Sequence, residues 1–341
     1  MLFFILSPSI ELKEEELSFY REAGIRNFIF FKRHFEEGDF SEYITRLKQS
    51  LKGLILLCVD QEGGKVARIP GDYPSPLSMA RLRKEKGDKV FFEWASSLAK
   101  AVKSQGLNVN LAPCVDLADE KAPDFLKERT FGLNPEEVIE CAKVFYYAHK
   151  EQGIVTCLKH FPGLGGVEVD PHEDLPRKRY ISEKDLMPFK SLSSLYPMVM
   201  TTHLSFDIQN SLFDSTTSLS VIPNSSSVIP STERVPSSQT LPSTFSEKIV
   251  RLLRDVCNFK GLILTDDLNM KALKHYELAE RFILSLACGH NCLLYCGPYR
   301  DVVEIWDDLR KEIEKSAVLQ EKAKESLFLL EKLKRSLKVP E

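Results

Sequence analysis

The sequence predicts an α/β protein folded as a single (β/α)8 barrel, with a long Ser/Pro-rich insertion and additional C-terminal helices. Three observations carry this reading. Short apolar runs alternate with longer amphipathic stretches about eight times, the count of a closed parallel barrel. Carboxylate, ammonium and imidazole side chains fall directly after those runs, at the strand ends where such a barrel assembles its site. The chain has 341 residues and is 43% hydrophobic, enough for one large core.

Taken in order, the predicted strands cover residues 2–6, 27–31, 53–59, 108–112, 155–159, 198–202, 261–265 and 292–296. The first run is short and lacks a basic leader or a small-residue cleavage site ahead of the acidic stretch that follows, so it reads as a strand and not as a secretion signal. Helical periods fill 39–51, 90–104, 135–151, 246–257 and 278–287. The third of these has a legible start: Asn134 as N-cap, Pro135 in the first position, then Glu136 and Glu137 at the positive end of the helix dipole. This is the TIM-type arrangement; a doubly wound sheet would call for a glycine-rich phosphate turn after an early strand. The glycines at 163–166 follow a proline and precede no evident helix, so they make a poor phosphate cradle.

One stretch breaks the alternation. Residues 211–244 are rich in Ser, Thr and Pro without a helical or strand period, and are expected to form a flexible insertion on the barrel's active-site side. Beyond Tyr299 the chain carries two amphipathic Lys/Glu-rich helices, whose charges read as a solvated face without chemistry.

Composition narrows the function classes. Lys and Arg number 46 against 49 acids, for a net charge of -3, and no basic tract offers a footprint for nucleic acid. No run approaches the ~18 apolar residues of a membrane span. The 8 cysteines lie mostly inside apolar segments and not at framework spacing, as expected of reduced core thiols in a cytoplasmic protein. Cys288, Cys292 and Cys296 are evenly spaced but include no CxxC pair, so no metal is assigned to them. No cofactor is implied, and the expected state is a monomer.

The densest group of polar residues is KHFPGLGGVEVDPHEDLP at 159–176. Its prolines and glycines describe an irregular loop at a strand end, so Asp170 and His172 can face one space across Pro171. A carboxylate beside an imidazole fixes its tautomer and raises its basicity, which suits a proton carrier; the plain alternative is an Asp turn with an exposed His. The paired acids Asp266 and Asp267 end the run GLILT. Neighbours on an extended chain point to opposite faces, so one of the two looks into the mouth while the other orients or caps. DQEGGKVAR at 60–68 places Asp60 and Arg68 on either side of a Gly-Gly turn, suited to charged hydrogen bonds with sugar hydroxyls. Glu62 in that segment stands as a rival acid or, more plainly, as an exposed turn residue.

Together with APCVDL at 112–117, ERTFG at 128–132, MVMTTH at 198–203 and GLILTDDLNMKAL at 261–273, these segments resemble the family-3 glycoside hydrolases. The likeness is to the single-domain bacterial β-N-acetylglucosaminidases that act in peptidoglycan recycling, and it spans residues 24–297 in order. It implies a retaining hydrolase of terminal β-linked N-acetylglucosamine, with a carbohydrate or muropeptide substrate. It also implies Asp266 as nucleophile, His172 as acid/base and Asp170 as its partner. Asp60, Arg68, Arg129, Lys159 and His160 match the residues that hold the terminal sugar. Four positions depart from the family pattern: Leu164 where His is usual, Pro171 inside the DxH motif, Lys65 where Arg is commoner, and Asn291 where an acid is usual. None removes an implied catalytic group.

Two other readings stand beside this one. A metal-dependent barrel hydrolase would draw ligands from His160, His172, His203, Asp60 and Asp266, although no HxH pair is present and Lys159 would repel a cation. A catalytically inactive sugar-binding homologue is the other, motivated by Leu164 and the insertion.

Overall fold

The computed structural model describes residues 3–53, 55–178, 180–206 and 241–337. The insertion expected at 211–244 lies outside the described residues except for 241–244. Those four belong to the barrel: Pro242 bridges Ser205, and the short 3-10 turn Ser243–Phe245 is buried.

Eight strands form one sheet: β1 (Phe4–Leu6), β2 (Asn27–Phe30), β3 (Leu57–Val59), β4 (Val109–Asn110), β5 (Val155–Phe161), β6 (Met198–Thr201), β7 (Leu262–Leu264) and β8 (Leu293–Tyr295). They are hydrogen-bonded in the order β7-β6-β5-β4-β3-β2-β1-β8, and every neighbouring pair is parallel. Leu264 at the end of β7 bridges Cys292 just before β8, which closes the ring. Each predicted strand corresponds to one barrel strand. Most are shorter than expected, but β5 is longer, running to Phe161 and carrying Lys159 and His160 within the strand.

The strands are apolar on both faces because helices cover the outside and side chains fill the inside. Leu57, Cys58 and Val59 of β3, and Leu262, Ile263 and Leu264 of β7, are all buried. The outer ring comprises Glu14–Ala23, Phe40–Ser50, Asp88–Ser104, Pro135–Glu151, Glu183–Leu192, Glu247–Arg251 with the π-helical turn Leu252–Val256, Leu278–Ala287 and Tyr299–Lys315. Pro135–Glu151 begins as its sequence dictates. Asn134 accepts from the Glu137 amide at 2.9 Å, and Val138, Ala142, Phe145 and His149 form the buried stripe. The final helix, Ala317–Ser336, packs Leu319, Leu330 and Leu333 inward. No helix among the described residues is long and apolar enough to cross a membrane. All eight cysteines are free, and seven of them are buried.

Three of the longer helices escaped the sequence reading. The Glu14–Ala23 helix buries an acid, Glu16, which accepts from the Ser9 amide at 2.8 Å and from Tyr20 Oη at 2.6 Å, so its apolar period is broken. Pro76–Lys86 is largely polar and starts on a Ser75 cap. Glu183–Leu192 contains Pro188, yet Ser182 and Asp185 form a capping box at its start.

Candidate active site

The residues singled out from sequence meet at the carboxyl-terminal mouth of the barrel. Lys159 in β5 is 2% exposed. Its Nζ lies 2.7 Å from Asp60 Oδ1 and 2.6 Å from Glu62 Oε1. Glu62 corrects the expectation of an exposed turn residue: it is 1% exposed and takes a bidentate pair from Arg129, at 2.9 Å from Nε and 2.8 Å from Nη2. The hairpin Gln61–Gly63 with Val66–Ala67 explains the burial, because it folds this segment over the barrel end and not out into solvent. Asn110 of β4 pins the hairpin, accepting from the Gln61 amide at 3.0 Å and donating to its carbonyl at 2.9 Å.

The two cations dominate the electrostatics here. Burial alone would raise the Glu62 carboxyl, but Arg129 and Lys159 overcome it and hold Glu62 well below the usual carboxylate range. Burial would likewise lower the Lys159 ammonium, yet Asp60 and Glu62 keep it charged far above neutral pH. Glu62 is therefore an ionised structural anchor and a poor proton donor. Replacing it with Ala leaves two buried cations short of an anion, and should cost about 3–5 kcal/mol of unfolding free energy. Chemical denaturation checks this, and a loss under about 1 kcal/mol would mean that water substitutes for the carboxylate.

His160 is 5% exposed and donates from Nδ1 to Asp116 Oδ2 at 2.7 Å. That bond leaves Nε2 facing Arg129, at 3.5 Å from Nη2. Asp116, from the APCVDL segment, received no role from sequence. It also accepts from the Leu164 amide at 2.7 Å, and so ties β5 to the loop that follows. Leu164 itself, where the family usually has His, is buried at 2% exposure in the core. Cys114, Asp116 and His160 form a metal-sized cluster, their donor atoms lying within 4.8 Å of one another. The Asp116 oxygens, however, are occupied by the His160 ring and amide, the Leu164 amide and the Cys114 thiol. A cation would have to displace those donors.

Asp266 and Asp267 divide their tasks as extended neighbours should. Asp267 Oδ1 accepts from the Asn269 and Cys296 amides, both at 2.9 Å, which ties the end of β7 to the end of β8. Burial pushes the Asp267 carboxyl up to about 6 against the pull of those two amides. Asp266 is drawn the other way. Burial would raise it, but the imidazoles of His160, His203 and His172, with the Asp267 amide at 2.8 Å, lower it and keep it ionised. His203 follows β6 and is fully buried between Thr244 Oγ1, at 2.6 Å from Nδ1, and the Asp267 carbonyl, at 3.0 Å from Nε2. It buttresses the Asp266–Asp267 turn, a contact that no local pattern announces. Asn291, where an acid is usual, accepts from Arg254 at 2.6 Å and from the Ile263 amide at 3.0 Å beneath that same strand.

The pairing expected across Pro171 is present. His172 Nδ1 lies 2.8 Å from Asp170 Oδ1, which also accepts the His172 amide at 2.9 Å. The imidazole is 66% exposed, so its other nitrogen is open to solvent. Beyond it, Glu173 pairs with Lys271 at 3.1 Å and Asp174 with Lys274 at 3.2 Å, joining this loop to the segment after Asp266. Exposed pairs are individually weak, but two in tandem bias the loop toward Asp266. Reversing both lysines to Glu should raise amide exchange across residues 168–175. Adding Glu173→Lys and Asp174→Lys should restore protection; failure of the fourfold variant to do so would mean that the pairs do not hold the loop.

Arg68 is the one predicted site residue outside this network: its guanidinium lies by the ring of Phe31, Cζ being 6.0 Å from the ring centroid. Its backbone is fixed by Gln61 Oε1, which accepts from the Arg68 and Ile69 amides at 2.9 and 3.0 Å.

Comparison with known proteins adds to this geometry. The family pattern described as Glycosyl hydrolase family 3 N terminal domain matches residues 11–329. A Beta-hexosaminidase of Actinobacillus pleuropneumoniae serotype 3 (strain JL03) is 28% identical over 313 residues, covering 88% of this chain and 82% of that protein. Beta-hexosaminidase A of Pseudoalteromonas piscicida is 28% identical over 301 residues, 83% of this chain, but the chain spans only 48% of that longer protein. Among solved structures, a glycoside hydrolase family 3 beta-N-acetylglucosaminidase from Paenibacillus sp. str. FPU-7 superimposes with a TM-score of 0.78 at 21% identity, over 98% of this chain and 61% of that one. At that identity the structural likeness speaks to the fold.

Proposed function

The chain belongs to glycosyl hydrolase family 3, and from that premise we propose that it removes terminal β-linked N-acetylglucosamine by a retaining mechanism. The observation that carries the reading is that a half-buried Asp266, held ionised by its neighbours, shares the mouth with an exposed His172 whose Nδ1 is fixed by Asp170. Two groups with opposite protonation needs face one mouth, which is what double displacement requires.

In the first half-reaction Asp266 attacks the anomeric carbon while the glycosidic bond breaks. His172, as imidazolium with its Nδ1–H held by Asp170, passes the Nε2 proton to the departing oxygen. In the second, neutral His172 takes a proton from water, the resulting hydroxide equivalent displaces Asp266, and the carboxylate is restored. Lys159, Asp60, Arg129 and His160 form the floor that grips the sugar hydroxyls, and Arg68 extends that grip at the rim. The ion pairs among the floor groups pre-organise them, so little rearrangement accompanies binding. Peptidoglycan fragments are the proposed substrates, acted on by a monomer in the cytoplasm.

Release of the aryl group from a chromogenic β-N-acetylglucosaminide, insensitive to chelator, with the β-anomer of N-acetylglucosamine appearing first by NMR, is the expected result. Initial α-anomer would overturn retention. Binding of the sugar without turnover would leave a sugar-binding homologue, and loss of turnover in chelator would favour the metal-dependent reading.

A further inference from the structure

The mouth carries a second cationic feature, of which the mechanism uses only Arg68. Phe31, directly after β2, has the Arg33 guanidinium 4.9 Å from its ring centroid and that of Arg68 at 6.0 Å. Cations at an aromatic ring are ordinary; two at one ring without a neutralising anion are not. Among the described residues neither arginine has a carboxylate within ion-pair distance, whereas Arg129 and Lys159 deeper in the mouth are both paired. Arg33 donates from Nη2 to Ser7 Oγ at 2.8 Å, which steadies it over the end of β1. Arg68 Nε is sealed from solvent and has no acceptor among the described residues. A buried guanidinium N–H without an acceptor carries a desolvation cost that an incoming anion would relieve.

The position of this pair in the ring decides what could reach it. Arg33 and Arg68 follow β2 and β3, whereas Asp266 follows β7 and the His172 loop follows β5 and is tied by Lys271 and Lys274 to the β7 side. The arginines thus occupy the wall across the barrel from the acid/base. On the mechanism proposed above, on which this inference rests, the leaving group departs on the His172 side. The opposite wall then faces the edge of the terminal sugar remote from the scissile bond. Asp60, the carboxylate of the neighbouring hairpin, is engaged by Lys159 at 2.7 Å and offers little repulsion.

We propose that Arg33 and Arg68, on either hand of Phe31, form a binding wall for an anionic ester, sulfate or phosphate, on that remote edge of the terminal N-acetylglucosamine. Arg33 is the specificity-determining residue, since Arg68 is already assigned to the sugar itself.

The test compares N-acetylglucosamine with its 6-sulfate and 6-phosphate by calorimetry, and the methylumbelliferyl β-glycosides of the neutral and 6-sulfated sugars by turnover. Both use the full chain and its Arg33→Met variant. A charge-assisted pair predicts that the wild type binds an anionic sugar about 10-fold more tightly than the neutral one, with the margin shrinking as salt is raised. Arg33→Met should reduce the preference below about 2-fold while leaving affinity and turnover for the neutral sugar unchanged. Preference for one ester over the other identifies which anion the wall takes. Equal affinity for neutral and charged sugars, or a preference that survives in Arg33→Met, overturns the proposal even where the neutral glycoside is turned over. Preferential binding of the esters without turnover of any glycoside upholds the wall and removes the glycosidase reading instead.

Discussion

Asp266→Ala should abolish turnover of aryl and alkyl N-acetylglucosaminides alike, by roughly 10⁴-fold or more, the scale of losing an enzyme's nucleophile. The expectation rests on exclusion as much as on position. Glu62 is clamped by Arg129 and Lys159, Asp60 by Lys159, and Asp116 is consumed by His160 and Leu164. Asp267 spends Oδ1 on two backbone amides, so Asp267→Ala should cost stability more than rate. A mechanism-based fluorosugar should label the peptide containing Asp266. If Asp267→Ala is instead the dead variant while Asp266→Ala turns over normally, the assignment of the two acids is reversed. Labelling at Glu62 would remove Asp266 from the mechanism altogether.

His172→Ala should slow glycosides with poor leaving groups by about 10² to 10⁴-fold, the usual worth of a general acid, while activated aryl glycosides lose much less in the step that forms the glycosyl-enzyme. The asymmetry follows from the chemistry, since a good leaving group departs as an anion without needing a proton. Asp170→Ala should move rates in the same direction by a smaller factor. Its carboxylate orients Nδ1 at 2.8 Å and stabilises the imidazolium but transfers no proton itself. Equal losses for both kinds of leaving group in the glycosylation step, measured before steady state, would show His172 to be structural.

Much of this was legible in the linear sequence because it is written at short range. The alternation of apolar runs with amphipathic periods located all eight barrel strands, and Asn134-Pro135 located a helix start, because both depend on side chains a few residues apart. The placing of Asp60, His203 and Asp266 just after strands followed from the same pattern, whereas Lys159 and His160, expected at the end of an apolar run, lie within a strand that continues to Phe161. Asp170 and His172 stand two residues apart, so their hydrogen bond needed only the loop between them. Helices that escaped notice had local signals of a weaker kind: the Ser182–Asp185 capping box was readable, whereas Pro188 argued against it.

What the chain could not announce was which charges would find one another once the barrel closed. Glu62 and Arg129 are 67 positions apart, Asp116 and His160 are 44 apart, and the His203 ring reaches the Asp267 carbonyl across 64. Separations of that size carry no periodicity, so Glu62 read as a rival acid or an exposed turn residue and Asp116 received no role. The sequence by itself determined the order of strands and helices and the chemistry gathered at the rim. Tertiary structure alone decided which acids are paired with cations, which acid is held ionised by imidazoles, and which arginines, among the described residues, have no carboxylate within ion-pair distance, because ionisation in such a site is set by desolvation and by neighbours supplied from distant strands.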